Sequence, residues 1–157
     1  MTTTTNESIG VEGALRELLD RAELDELVTK LGRWLDGGGH RPPRDLLADD
    51  VTVSTPGGQA AGIEAVAAQA ARNHGDHVTQ HAITDRLVEL DGDRAVVTAN
   101  LTVRFAPLVE GGESSTLGER YRFEVVRRDG GWRLARIEVV PVWRAAGTLR
   151  RLGAPSA

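Results

Sequence analysis

The chain has 157 residues, the length of one domain and enough for one hydrophobic core. Apolar residues make up 40% and charged residues 27%, with a net charge of −4, so a nucleic-acid surface is not expected. Cysteine is absent, which excludes disulfides, thiolate nucleophiles and cysteine-held metals. The start Met-Thr-Thr-Thr-Thr-Asn-Glu has neither the basic nor the apolar region of a signal peptide, and no apolar run approaches the ~20 residues of a membrane span. These features predict a cytoplasmic protein with no membrane and no nucleic-acid partner.

Residues 1–8 are polar and read as a disordered tail. Val11, Leu15, Leu18 and Leu19 then recur at helical spacing. Asp20 offers an N-cap, and Leu24, Leu27, Val28, Leu31 and Leu35 form the apolar stripe of a second helical segment. The glycines at 37–39 stop it. Pro42-Pro43 can start a short helix over Arg44–Ala48. Val51–Ser54 reads as a short strand, Thr55-Pro-Gly-Gly as a turn, and Gly62–Asn73 as an alanine-rich helix.

From residue 77 the apolar period falls from 3.6 to 2. Val78–Leu90 is a strand that turns at Asp91-Gly92-Asp93. Ala95, Val97, Ala99, Leu101, Val103 and Phe105 form one face of the next strand. A polar loop is expected over 108–117, then a strand through Tyr121, Phe123 and Val125, and a turn at Asp129-Gly130-Gly131. The last strand runs from Trp132 to Trp143, and 147–157 read as a loose tail. Helices followed by antiparallel strands predict one α+β domain over 9–146. Its expected form is a cone: a curved antiparallel sheet with three N-terminal helical segments over the concave face. A cavity for a small molecule belongs under such a sheet.

Two residues carry the chemistry. Asp36 closes a helix and His81 lies near the start of a strand, on the parity of Ile83. If the fold joins them, the carboxylate orients the imidazole and the imidazole takes a proton. The bland readings are a solvated helix-end acid and a core histidine bonded to backbone. An acid at a helix C-terminus is electrostatically unfavourable, which favours a working role. Tyr121 shares the parity of Phe123 and could polarise a carbonyl, or pack as a core aromatic with a wet tip. Trp34 and Phe105 are further candidates to line the cavity, with core packing as their alternative. His40 and His74 sit beside glycines and read as solvated loop residues. His77 and His81 share a strand face but lack a third ligand, so no metal is expected, and with no phosphate loop or dinucleotide fingerprint no cofactor is expected either.

Four segments in this order resemble the SnoaL-like branch of the nuclear transport factor 2-like superfamily. They are Leu-Gly-Arg-Trp-Leu-Asp at 31–36, Arg-Asp-Leu-Leu-Ala-Asp-Asp-Val at 44–51, Thr-Gln-His at 79–81 before Glu-Leu-Asp-Gly-Asp-Arg-Ala, and Asp-Gly-Gly-Trp-Arg-Leu-Ala-Arg at 129–136. The resemblance spans about residues 20–145 and implies the cone fold. Dehydratase and dehydrochlorinase members are similar at a helix-end Asp and a strand His, which fall on Asp36 and His81. The sequence departs from relatives that carry Arg after Gly-Trp-Arg-hydrophobic-x-x: Arg136 and Ile137 occupy that region here, and Arg136 is the candidate substrate-binding cation.

The superfamily holds polyketide cyclases, dehydratases, isomerases, epoxide hydrolases and noncatalytic modules. The reading this supports is a cofactor-independent enzyme for dehydration, isomerisation or cyclisation of a hydrophobic metabolite, of the kind found in secondary metabolism. The alternatives are a ligand-binding or assembly module and, behind it, an epoxide hydrolase. A homodimer is expected through the outer sheet face, because the last strand carries apolar residues of both parities: Leu134, Val140 and Val142 against Ile137, Val139 and Trp143.

Overall fold

The computed structural model describes residues 4–38, 41–75, 77–109 and 111–147, with side chains from residue 10 onward. His40 and the tail after Gly147 lie outside the described residues. The elements are α1 (Thr4–Asp36), β1 (Leu47–Thr55), β2 (Gly58–Ala61), α2 (Ile63–His74), β3 (His77–Asp91), β4 (Arg94–Pro107), β5 (Ser114–Arg128) and β6 (Gly131–Gly147). The strands form one curved sheet in the order β2-β1-β6-β5-β4-β3. The fold is an α+β cone with two helices against the sheet.

Burial of α1 follows its stripe. Leu24, Leu27, Val28, Leu31 and Leu35 are buried with Val97, Phe123, Val125 and Leu134 from the sheet. At Gly32 the helix meets β3: a Cβ there would lie 3.4 Å from Ile83 Cδ1 and 3.6 Å from the His81 Cβ. That close approach brings Asp36, one turn on, beside β3. From α2, Ile63, Val66, Ala67 and Ala70 are buried, and the helix packs on β1 and β2.

Several expectations are corrected. Residues 11–36 form one uninterrupted helix, and its span includes part of the segment 1–8 read as a tail. Asp20 is not an N-cap: its carboxylate accepts from Arg127 Nη2 at 2.6 Å and from Trp132 Nε1 at 3.3 Å. A tertiary contact thus uses the oxygen that a cap would need. Only a turn forms at 44–46, and the strand begins at Leu47 rather than Val51. Gly58–Ala61 adds a strand where only a turn was expected. β1 runs parallel to β6, so the sheet is mixed rather than wholly antiparallel. β5 starts at Ser114, inside the expected loop.

The double apolar parity of β6 has an internal cause. Val125 pairs with Leu134 but Glu124 pairs with Arg136, so Ala135 is an extra, bulged residue. Leu134 and Ile137 therefore both face the same core despite their opposite parity. A second shift, between Gly118 and Glu119, leaves Val142 as the extra residue between Pro141 and Trp143.

Candidate functional site

Asp36 is the last residue of α1, and its carboxylate meets three donors from β3. His81 Nδ1 lies 2.6 Å from Oδ1, Thr79 Oγ1 donates at 3.1 Å, and the His81 backbone N–H donates at 3.1 Å. These donors offset the unfavourable position of an acid at a helix C-terminus. They also fix the imidazole tautomer. With Nδ1–H donated to the carboxylate, the Nε2 lone pair is left as the basic site. The His81 side chain is 3% exposed and that of Asp36 is 29% exposed. Burial pulls His81 below the ordinary histidine pKa, against the hydrogen bond and charge of Asp36, which raise it. The ring is therefore neutral at pH 7 and able to accept a proton.

His81 opens onto a cavity of about 300 Å³ between the helices and the sheet. Its walls are mainly apolar: Leu31, Val66, Val103, Leu117 and Val139 are among them. The candidates Trp34, Phe105 and Tyr121 also line it. Trp34 is oriented by its indole N–H, which donates to the Arg41 carbonyl at 2.9 Å. Burial, with the Asp36 charge adding to it, holds the Tyr121 phenol far above its usual range, so it remains a neutral donor.

Arg136 is not in this cavity. It sits on the outer face of β6, its side chain 52% exposed and paired with Glu138 at 2.5 Å. The bulge at Ala135 turns it outward while Ile137 takes the inward position. Among the described residues, no lysine or arginine lines the cavity.

Three of the polar residues lining the cavity bear on its chemistry and were not anticipated. His74 is the last residue of α2 rather than a solvated loop residue. Its Nδ1 lies 2.7 Å from the Ala70 carbonyl, and its ring packs 5.2 Å from His81 and 5.8 Å from Phe105. Burial lowers its pKa, so it too is neutral at pH 7. Gln69 is buried, and its Nε2 donates to Thr55 Oγ1 at 3.2 Å and the Gly58 carbonyl at 3.0 Å. Because that carbonyl can only accept, the amide orientation is fixed. Oε1 is left buried without a partner among the described residues. Glu119 is the third, only 9% exposed, on the inward face of β5 with Leu117 and Tyr121. Its parity with Tyr121 and Phe123 was the signal available in the sequence.

Among the described residues no three His, Asp or Glu side chains gather as a metal site. None of the helices described is long and apolar enough to cross a membrane.

Comparison with known proteins places this geometry in a family. No curated protein sequence matches the chain. Among solved structures, it is similar to a nuclear transport factor 2-like protein with a cystatin-like fold from Novosphingobium aromaticivorans, at 26% identity and TM-score 0.73, covering 90% of this chain and 92% of that one. A protein from Kribbella flavida shows 24% identity and TM-score 0.74, over 82% and 95% of the two chains. The type 2 hexachlorocyclohexane dehydrochlorinase LinA shows 22% identity and TM-score 0.76, over 92% and 99%. The profile of the SnoaL-like domain matches residues 16–138, most of the chain, and on that match the chain belongs to the SnoaL-like domain family.

Proposed function

We propose that this protein is a cofactor-independent enzyme in which His81 removes a proton from a carbon next to a carbonyl of an apolar small molecule. The observation that carries this reading is the 2.6 Å contact between His81 Nδ1 and Asp36 at the wall of an apolar cavity. Asp36 orients the ring and stabilises the imidazolium formed on proton transfer. Trp34 and Phe105 hold the apolar body of the substrate, and Tyr121 donates to its carbonyl oxygen. The free Oε1 of Gln69 accepts from a ligand hydroxyl. The likeness to LinA, a dehydrochlorinase by name, supports a proton-abstracting chemistry. The epoxide-hydrolase reading finds less support, because its Asp-Arg-Asp constellation needs an arginine, and none of the described residues lining the cavity is one.

The test is exchange of α-protons of apolar cyclic ketones in deuterated water, followed by proton NMR. Wild-type protein should accelerate the exchange, and His81→Ala should lose ~10²–10⁴-fold of that acceleration. Exchange equal in wild type and His81→Ala, with the ketone bound by both, would favour a binding module instead.

A further inference from the structure

An acid and a base face the same cavity from different strands. Glu119 projects from β5, and His81 from β3, with β4 between them. Ile83, Leu101 and Glu119 form one cross-strand row, and His81, Val103 and Leu117 form the next inward row. At two strand spacings and two residues of offset, their backbones are about 10–12 Å apart on an uncurved sheet. Side chains reaching inward from both sides leave room for a few carbon atoms between imidazole and carboxyl.

The surroundings of Glu119 select its protonation state. Its carboxyl has no hydrogen-bond or ion-pair partner among the described residues, whereas Glu17, Glu26, Glu64, Glu124 and Glu138 are each paired with a cation. A buried, unpaired carboxylate is costly, and the cheaper state is the neutral acid. Burial accordingly raises its pKa above the ordinary glutamate value. Its strand neighbour Pro141 has no N–H, and the ladder shift next to Glu119 interrupts regular pairing there. Bulges of this kind re-aim side chains beside working sites.

We propose that Glu119 is the catalytic acid opposite His81, and that the substrate class is a β-hydroxy carbonyl compound that loses water. The inference rests on the proton-abstraction reading of His81. Nε2 of His81 takes the α-proton, and the C–H electron pair forms the new C=C bond. The C–O bond at the β-carbon breaks, and its oxygen takes the Glu119 proton and leaves as water. Imidazolium and carboxylate remain, and exchange of one proton with solvent resets both. Hydroxide is a poor leaving group and needs that proton, whereas chloride leaves without one. An acid at this place therefore separates the chain's chemistry from dehydrochlorination.

The experiment compares a β-hydroxy aryl ketone with its β-(para-nitrophenoxy) counterpart, both giving the same enone, read by absorbance. Glu119→Gln should shift the ratio of nitrophenoxide to hydroxide elimination by ~10²-fold or more, the worth of a general acid. His81→Ala should depress both reactions. An unchanged ratio in Glu119→Gln overturns the role of Glu119, while equal rates in wild type and His81→Ala overturn the His81 reading separately. Absence of elimination from either ketone by the wild-type protein overturns both. A second readout needs no substrate. In ¹³C-labelled wild-type protein, with Glu119→Gln for assignment, the Glu119 carboxyl should titrate above the other glutamates. Titration together with them overturns the proposal.

Discussion

At the residue scale, two opposing influences set His81. Burial favours the neutral ring, and the Asp36 carboxylate favours the charged one, with burial the larger. Replacing Asp36 by Asn keeps an oxygen for Thr79 Oγ1 and the His81 N–H, so the fold should persist. The opposing charge is lost, and the His81 pKa should fall further, as read by NMR titration of its ring protons; a rise in Asp36→Asn would refute this balance. The same balance has a consequence for stability. The folded-state pKa of His81, like that of His74, lies below the unfolded value near 6.5. The neutral rings therefore contribute stability that is full above about pH 6.5 and lost as pH falls from there through the folded pKa values. Thermal melts should show Tm declining across that window in wild type. The decline should be smaller in His74→Gln, which removes one of the two titrations. His81 and Asp36 were legible in the sequence because each lies at the end of a strongly periodic element. His74 was not, because it stands one residue beyond the expected end of its helix.

At the element scale, the hairpins were legible and the irregularities were not. The Asp129-Gly130 turn joins β5 to β6 with both central residues at positive φ, 50° and 77°. That geometry matches the right-handed twist of the strands and favours Asp-Gly or Asn-Gly. A Cβ at Gly130 would meet nothing within 4 Å. Gly130→Ala should thus carry only the left-handed backbone cost, about 1–2 kcal/mol. In a domain of this size Tm should fall by roughly 2–8 °C, and an unchanged Tm would refute the turn assignment. By contrast, nothing local announces the bulge at Ala135, because a period-2 reading assumes that every residue is paired. That one extra residue puts Leu134 and Ile137 on the same core face, although their opposite parity made β6 look apolar on both. Glu119 was lost in another way. The loop was expected to run to 117, so the alternation that puts an acid in the row of Tyr121 and Phe123 was not followed back. The parallel pairing of β1 with β6 joins segments some 80 residues apart and has no local signature.

At the scale of the whole molecule, the outer face of the sheet offers a surface for a second copy of the chain. Over β5 and β6 this face carries a cross-strand network of Arg122, Glu124, Arg136 and Glu138. Such a network is content in water and gives no drive to associate. Beyond it, towards the end of β6, Val140, Val142 and Trp143 are exposed. Trp143 lies across Gly118 of β5, where a Cβ would overlap its ring, so the position is set by the absent side chain. Val140 and Val142 flank Pro141 with no such cover. A self-complementary patch of this kind suits a two-fold interface, in which the paired charges form a polar rim. The chain is therefore predicted to form a homodimer at micromolar concentration, through the end of β6 rather than the whole outer face. Sedimentation velocity should show the dimer for wild type and a monomer for Val140→Asp combined with Val142→Asp. Both substitutions are at exposed positions, so circular dichroism of the double variant should match wild type. A wild-type monomer, or a dimer unaffected by both aspartates, would remove this surface as the interface and turn attention to the other exposed apolar residues, first those of α1, Val11, Leu15, Leu18 and Leu19.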